Sequence, residues 1–249
     1  MKQIPHFFPA LIFLPVMVVA CKKDTSAPAA ENTPGMIRGK ITDASGHPLA
    51  GVKATIEHTV WYNSYVFAVS DNDGAYQTKV PDQPAGDWTA KAQIERSAYG
   101  QTYKFDLDPQ NTAPFNNNIA AVRNFVWKLS GQRPGNSGYY GAHVDLYAFG
   151  TDVQPDQVKI VFTPLEPTLI DGSTAVSFEK SVEDVAGTFM AKDIPIGKYS
   201  IKAIYPGKTL LLKNRHSDNG EAAVSQEVVF GKNSNLAETE YNIEFWLSE

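Results

Sequence analysis

The sequence predicts an all-β protein: two tandem antiparallel β-sandwiches that follow a cleavable leader. Three observations carry that reading. After the turn at Pro84-Ala85-Gly86, the stretch Asp87-Trp88-Thr89-Ala90-Lys91-Ala92-Gln93-Ile94 alternates without a fault. Trp88, Ala90, Ala92 and Ile94 fall on one face and Asp87, Thr89, Lys91 and Gln93 on the other, the period of a half-buried strand. Pro195-Ile196-Gly197-Lys198-Tyr199-Ser200-Ile201-Lys202-Ala203-Ile204-Tyr205 repeats the design, with Pro, Gly, the aromatic, Lys and Ala at corresponding places. Between residues 36 and 130 no stretch keeps a helical period, and its nearest approach, Ile119 to Val122, is too short to be one.

A chain of 249 residues suits two domains of ordinary size, which is also what the repeat asks for. Its hydrophobic share of 43% and its 11% of aromatic residues are enough to fill two compact cores. The formal net charge of −5 gives nucleic acid no electrostatic footprint.

The leader is residues 1–20. Lys2 supplies a positive start, Phe7 to Val19 an apolar run interrupted by Pro9 and Pro15, and Ala20 a small residue before the cut. The run is too short for a comfortable membrane span. Cys21, the only cysteine, follows at once, so the chain has no internal disulfide framework. Val18-Val19-Ala20-Cys21 resembles the lipobox of bacterial lipoproteins. That resemblance implies that Cys21 is lipidated, starts the mature chain and anchors it to a membrane. Residues 21–35, rich in Ala, Pro, Ser and Thr, read as a flexible tether. The Cys-Lys-Lys-Asp start resembles the export signals of surface lipoproteins in the Bacteroidetes group, which implies the cell envelope, the outer membrane and a surface-facing position.

From residue 36 the chain turns β-like. Met36 to Ile41 reads as a first strand, Ala44 to Pro48 as a turn, and Val52 to Ile56 as a second strand. Tyr65 to Val69 and Tyr76 to Val80 flank Asp71-Asn72-Asp73-Gly74, whose Asx residues and glycine suit a hairpin. The Trp88 strand, Thr102 to Leu107 and Asn124 to Leu129 complete the first sandwich, residues 36–130.

Gly39 to Val52, then Ser70 to Tyr76 and the Pro-x-Gly-x-aromatic turn from Pro84 to Trp88, resemble the carboxypeptidase regulatory-like domain. The resemblance implies a transthyretin-like, Ig-like sandwich of about seven strands, common in extracytoplasmic bacterial proteins. Gly131 to Gly138 reads as an interdomain linker. Residues 139–249 then repeat the first sandwich in divergent form. Thr151-Asp152 with Val158-Lys159 echoes Thr42-Asp43 with Val52-Lys53, and Asn242 to Ser248 echoes Asn124 to Ser130.

Catalytic and metal signatures are missing from the sequence. His47, His58, His143 and His216 show no zinc spacing and have no cysteine partner. Asp71 to Gly74 begins like a calcium loop but lacks its later ligands and reads as a turn. Ser177 and Lys180 match a Ser-x-x-Lys pattern by letters, but on a strand they point to opposite faces. The sequence therefore predicts no enzyme, no cofactor and no metal. Exposed aromatic residues are the remaining candidates: Trp61 and Tyr62 in a loop running into a strand, and Tyr139 and Tyr140 beside the linker. Flat rings with polar edges suit glycans and protein partners. The expected function is a non-catalytic binding or spacer module of the cell envelope, with glycan binding in a polysaccharide-uptake system as the alternative.

Overall fold

The computed structural model describes residues 33–249 apart from Pro84, Phe149, Asp218, Asn219 and Ser234. The expected leader, Cys21 and the tether as far as residue 32 lie outside the described residues. Sheet structure begins where the tether was expected to end: Gly35 donates its N–H to Ile119 O at 3.1 Å and its carbonyl accepts Val80 N at 2.9 Å.

The first half contributes β1 (Met36–Asp43), β2 (Lys53–His58), β3 (Tyr65–Val69), β4 (Ala75–Lys79), β5 (Trp88–Ala98), β6 (Gln101–Asp106), β7 (Asp108–Pro109), β8 (Ala121–Val122) and β9 (Phe125–Trp127). The second contributes β10 (Ala142–Ala148), β11 (Lys159–Pro164), β12 (Phe178–Ser181), β13 (Glu183–Val185), β14 (Thr188–Ile194), β15 (Lys198–Tyr205), β16 (Lys208–Thr209), β17 (Leu211–Asn214), β18 (Gln226–Val229), β19 (Gly231–Lys232) and β20 (Tyr241–Ser248). Only two short 3-10 turns interrupt the strands among the described residues, and no helix there is long and apolar enough to cross a membrane.

The repeat seen in the sequence is a repeat of strand pairing. In the first half one sheet runs β4-β1-β9-β7 and the other β3-β2-β5-β6. In the second the corresponding orders are β14-β10-β20 and β12-β11-β15, each sheet extended by short strands. The two anchoring strands occupy matching central places, β5 between β2 and β6, and β15 between β11 and β18. Alternation decides what they bury. Trp88, Ala92 and Ile94 are buried while Lys91 is exposed, and Tyr199, Ile201 and Ala203 are buried while Lys202 is exposed. The two sheets of each half pack these faces together, as in the Phe105–Trp127 ring contact at 5.4 Å, which joins β6 to β9.

Two features differ from the expectation of purely antiparallel hairpins. Each half closes with a parallel pair, β1 with β9 and β10 with β20, because its last strand enters the sheet beside the first. The turn at Asp71 to Gly74 is not a hairpin: β3 and β4 belong to opposite sheets. Asp71 satisfies the turn by itself, its Oδ1 accepting Asp73 N and Ala75 N at 2.9 Å. Gly74 is then captured by the facing sheet, Ile41 donating its N–H to Gly74 O at 2.8 Å. A Cβ at Gly74 would stand 2.4 Å from Ile41 O, so the approach requires glycine.

Among the described residues no strand pairs across residues 131–138, yet Asn32–Glu249 forms one compact unit with a continuous apolar core. The linker of the sequence reading is itself folded. Arg133 N donates to Gly138 O and Tyr140 N to Gly131 O, both at 2.9 Å, closing the segment into a loop. The Arg133 side chain lies across the seam between the halves, bonding Asp106 Oδ2 at 2.6 Å and Tyr139 O at 2.8 Å. Beside it, Tyr103 of β6 donates its hydroxyl to Phe230 O at 2.9 Å, and Lys104 N donates to the Tyr241 hydroxyl at 2.6 Å. Gly, Pro and Ser suggest slack chain; one arginine paired with a half-buried carboxylate removes the slack.

Candidate functional site: an aromatic loop and an open strand edge

The β2–β3 loop presents three large side chains in succession, Val60 at 66% exposure, Trp61 at 48% and Tyr62 at 93%. Its backbone is fixed from beneath by His58, the last residue of β2. The His58 ring is buried and accepts the N–H groups of Val60 at 3.1 Å and Trp61 at 3.0 Å on Nδ1. Nδ1 must therefore be the bare nitrogen. The ring stands edge-on to Trp88, the residue opposite it in the sheet, with centroids 4.8 Å apart. Gly86, at φ +92°, passes so close that a Cβ there would come within 2.5 Å of His58 Cε1. Further ties close the loop. Thr59 N donates to Asp87 O and His58 N to Ser64 O, both at 2.8 Å, and Asn63 takes the left-handed conformation that asparagine tolerates. A backbone held this way loses little freedom when something stacks on the rings it carries.

The apolar surface continues onto β3. Tyr65, Phe67 and Val69 share its outer face at 44%, 48% and 62% exposure. The Tyr65 and Phe67 rings are 5.3 Å apart, and Lys53 Nζ of β2 stands 3.8 Å from the centre of the Phe67 ring. β3 is an edge strand whose only partner among the described residues is β2.

The other two aromatic candidates separate by burial. Tyr139 is half-buried with Lys192 Nζ 5.4 Å from its ring, and lines a shallow hollow of about 250 Å³ with His143 and Met190. Tyr140 is 6% exposed, a correction to its expected place at the surface. Its hydroxyl donates to Asp108 at 2.8 Å, the Arg133 guanidinium lies 4.9 Å from its ring, and burial pushes its pKa up. It is part of the seam and offers no stacking face.

A larger cleft of about 460 Å³ lies where the halves meet, with Asp43, His47 and Lys128 on one side and Asp171 and Ser173 on the other. Its polar groups are already engaged. Asp43 accepts from Ser45 N and His47 N at 2.8 Å and pairs with the His47 ring at 2.9 Å, while Asp171 accepts from Ser173. Lys180, the lysine of the Ser-x-x-Lys letters, stands 3.9 Å from Asp193. Among the described residues no three His, Cys, Asp or Glu side chains gather as metal ligands would.

Compared with protein-family models and with curated protein sequences, the chain matches none. Several solved structures resemble it loosely. The Bacillus anthracis TIE protein is 16% identical with a TM-score of 0.31, over 86% of this chain and 34% of that one. A Streptococcal ancillary pilin is 10% identical with a TM-score of 0.26, over 85% and 62%. A single B repeat unit of the collagen-binding surface protein of Staphylococcus aureus is 10% identical with a TM-score of 0.25, over 87% and 100%. The chain thus spans about a third of the first protein's length and under two thirds of the second's. The assignment to the all-β sandwiches stands on this chain's own strand pairing.

Proposed function

We propose that this protein is a non-catalytic binding module of the cell envelope, held to a membrane through lipidated Cys21 and presenting its ligand to the Trp61–Tyr62 loop. The observation that carries the binding role is the construction of that loop. A buried histidine, a tryptophan and a glycine hold its backbone, and the rings it raises face solvent instead of the core. Val60, Trp61 and Tyr62 expose apolar surface in succession, and it is such contiguous surface, not a single exposed ring, that supports an interaction site. The leader, the lipobox-like Val18 to Cys21 and the tether of residues 21–35 support placement at the outer membrane, facing outward. We read residues 36–130 as a carboxypeptidase regulatory-like sandwich and residues 139–249 as a diverged copy joined through residues 131–138, a reading supported by the sequence motifs and by the matching strand orders of the two halves.

A glycan is the ligand this loop favours, since adjacent rings with polar edges on a fixed backbone match the alternating apolar and hydroxylated faces of a sugar chain. Cys21→Ser should move the protein from the membrane to the soluble fraction; retention undiminished would remove the anchor from the reading. On a glycan array, the wild-type chain should select a class of polysaccharide. Tyr62→Ala should weaken that binding at least about tenfold with an unchanged melting temperature, because the ring touches little of the fold. An array without hits, or a Tyr62→Ala variant that binds as the wild type does, would rule the glycan reading out.

A further inference from the structure

The open edge of β3 lies beside the loop but outside its proposed ligand contacts, and it carries a separate inference. In the β2–β3 ladder, His58 N donates to Ser64 O at 2.8 Å and Ser70 N to Val52 O at 3.0 Å. With the register Ile56↔Val66 and Ala54↔Ala68, the even-numbered residues of β3 thus bond inward. Tyr65, Phe67 and Val69 accordingly aim their N–H and C=O groups at the open edge, and these residues also carry the exposed apolar side chains. Soluble proteins ordinarily guard such an edge with lysine, proline or a bulge. Tyr65-Val66-Phe67-Ala68-Val69 has none of these, and its ladder to β2 runs without a register shift.

We propose that the occupant of this edge is a second copy of the same chain, its β3 paired antiparallel about a two-fold axis at Phe67. The self-complementary pattern of this edge favours this partner, with opposite charges at the ends of its outer rows, where Glu57 also pairs with Lys91 Nζ of its own chain at 2.8 Å. Lys53 lies opposite Val69 and Glu57 opposite Tyr65. Symmetric pairing then makes each outer row read Lys53, Val69, Tyr65 of the second copy and Glu57 of the second copy. Both outer rows have an apolar pair in the middle and opposite charges at their ends, about 14 Å apart at the roots. The central row sets Phe67 against Phe67, a direct cross-strand aromatic pair. The three outward-facing residues of each chain supply about six backbone hydrogen bonds. A parallel pairing in the same register would instead end its rows in like charges, lysine with lysine and glutamate with glutamate.

This pairing leaves Trp61 and Tyr62 outside the joined strands, so it stands or falls apart from the glycan reading. The test uses the full chain carrying Cys21→Ser, so that an introduced thiol is the only one. Phe67→Cys should form a disulfide-linked dimer under mild oxidation, because opposed residues of such a pair have Cα atoms about 5.5 Å apart. Val122→Cys, equally exposed but on the other sheet, should not. Phe67→Lys puts like charges directly opposite and should raise the dimer dissociation constant in sedimentation at least about tenfold, without lowering the melting temperature of the monomer. A chain that stays monomeric to its solubility limit overturns the proposal. So does a dimer indifferent to Phe67→Lys, or a monomer whose Phe67 and Val69 amides gain exchange protection only when glycan or foreign peptide is added.

Discussion

Trp88→Ala is expected to cost about 3–5 kcal/mol, the usual range for removing a buried aromatic and a large share of the stability of a chain this size. Trp88 is 1% exposed, and its backbone exchanges hydrogen bonds with Phe115 at 2.7 and 2.9 Å. The His58 ring rests edge-on against it, so the cavity would also loosen the loop that presents Trp61 and Tyr62. Tyr199→Ala should cost a similar amount. That ring is fully buried against Phe162 at 5.7 Å, Phe178 at 5.8 Å and Phe230 at 6.4 Å, and its hydroxyl donates to Pro195 O at 3.0 Å. Phe230, whose carbonyl accepts the Tyr103 hydroxyl, ties this core to the first half. Calorimetry should therefore show one unfolding transition in the wild type and in both variants, shifted as a whole. Two resolved transitions, of which each variant moves only one, would mean that the halves fold independently.

What could be read in the sequence was what period and repetition encode. The Trp88 to Ile94 alternation names its buried face because one set is apolar and the other polar. The same rule is silent for Tyr65 to Val69, where both sets are apolar; only the finished sheet shows that Ala68 points inward and Phe67 outward. The repeat announced a second sandwich but not the parallel closing pairs, which depend on where a late strand docks rather than on its own residues. Turn chemistry at Asp71 to Gly74 announced a reversal but not its destination, since the same Asx-Gly turn serves a hairpin or a crossing between sheets.

Of the candidate site, Trp61 and Tyr62 were legible as aromatics in a stretch that reads as loop. Their support was not. His58 is an isolated histidine in the sequence, and its role comes from facing Trp88 across the ladder thirty residues away. Tyr139 and Tyr140 look alike in sequence, but the seam buries only the second. The seam itself was invisible, because Asp106, Arg133 and Thr239 share no period or motif and meet only when the halves close.

Asp106→Asn should destabilise the chain by about 2–3 kcal/mol, more than a surface ion pair is worth and less than a wholly buried one. Asp106 Oδ2 accepts Arg133 Nη1 and Thr239 Oγ1, both at 2.6 Å, while Oδ1 accepts Gln93 Nε2 at 2.7 Å. One carboxylate thus joins the first half, the loop of residues 131–138 and the approach to β20. The Arg133 side chain is 12% exposed and that of Asp106 32%, so neutralising the acid leaves a mostly buried guanidinium without its counter-charge. Burial alone would raise the Asp106 pKa, but the hydrogen bonds from Thr239, Gln93 and Arg133, with the Arg133 charge, outweigh it and hold the group below its ordinary value. A depressed folded-state pKa means that the unfolded chain binds the proton more readily. The seam's contribution is therefore complete above the unfolded value of about 3.9 and is lost as the pH falls through the lower folded one. Asp43, also held low although its burial opposes this, because His47 and Ser45 hydrogen-bond to it, keeps part of the acid sensitivity in the variant. Denaturant unfolding at neutral pH and at about pH 3 should thus show a smaller acid loss in Asp106→Asn than in the wild type. A variant that loses under about 0.5 kcal/mol and keeps the full acid loss would reduce this contact to an ordinary surface pair.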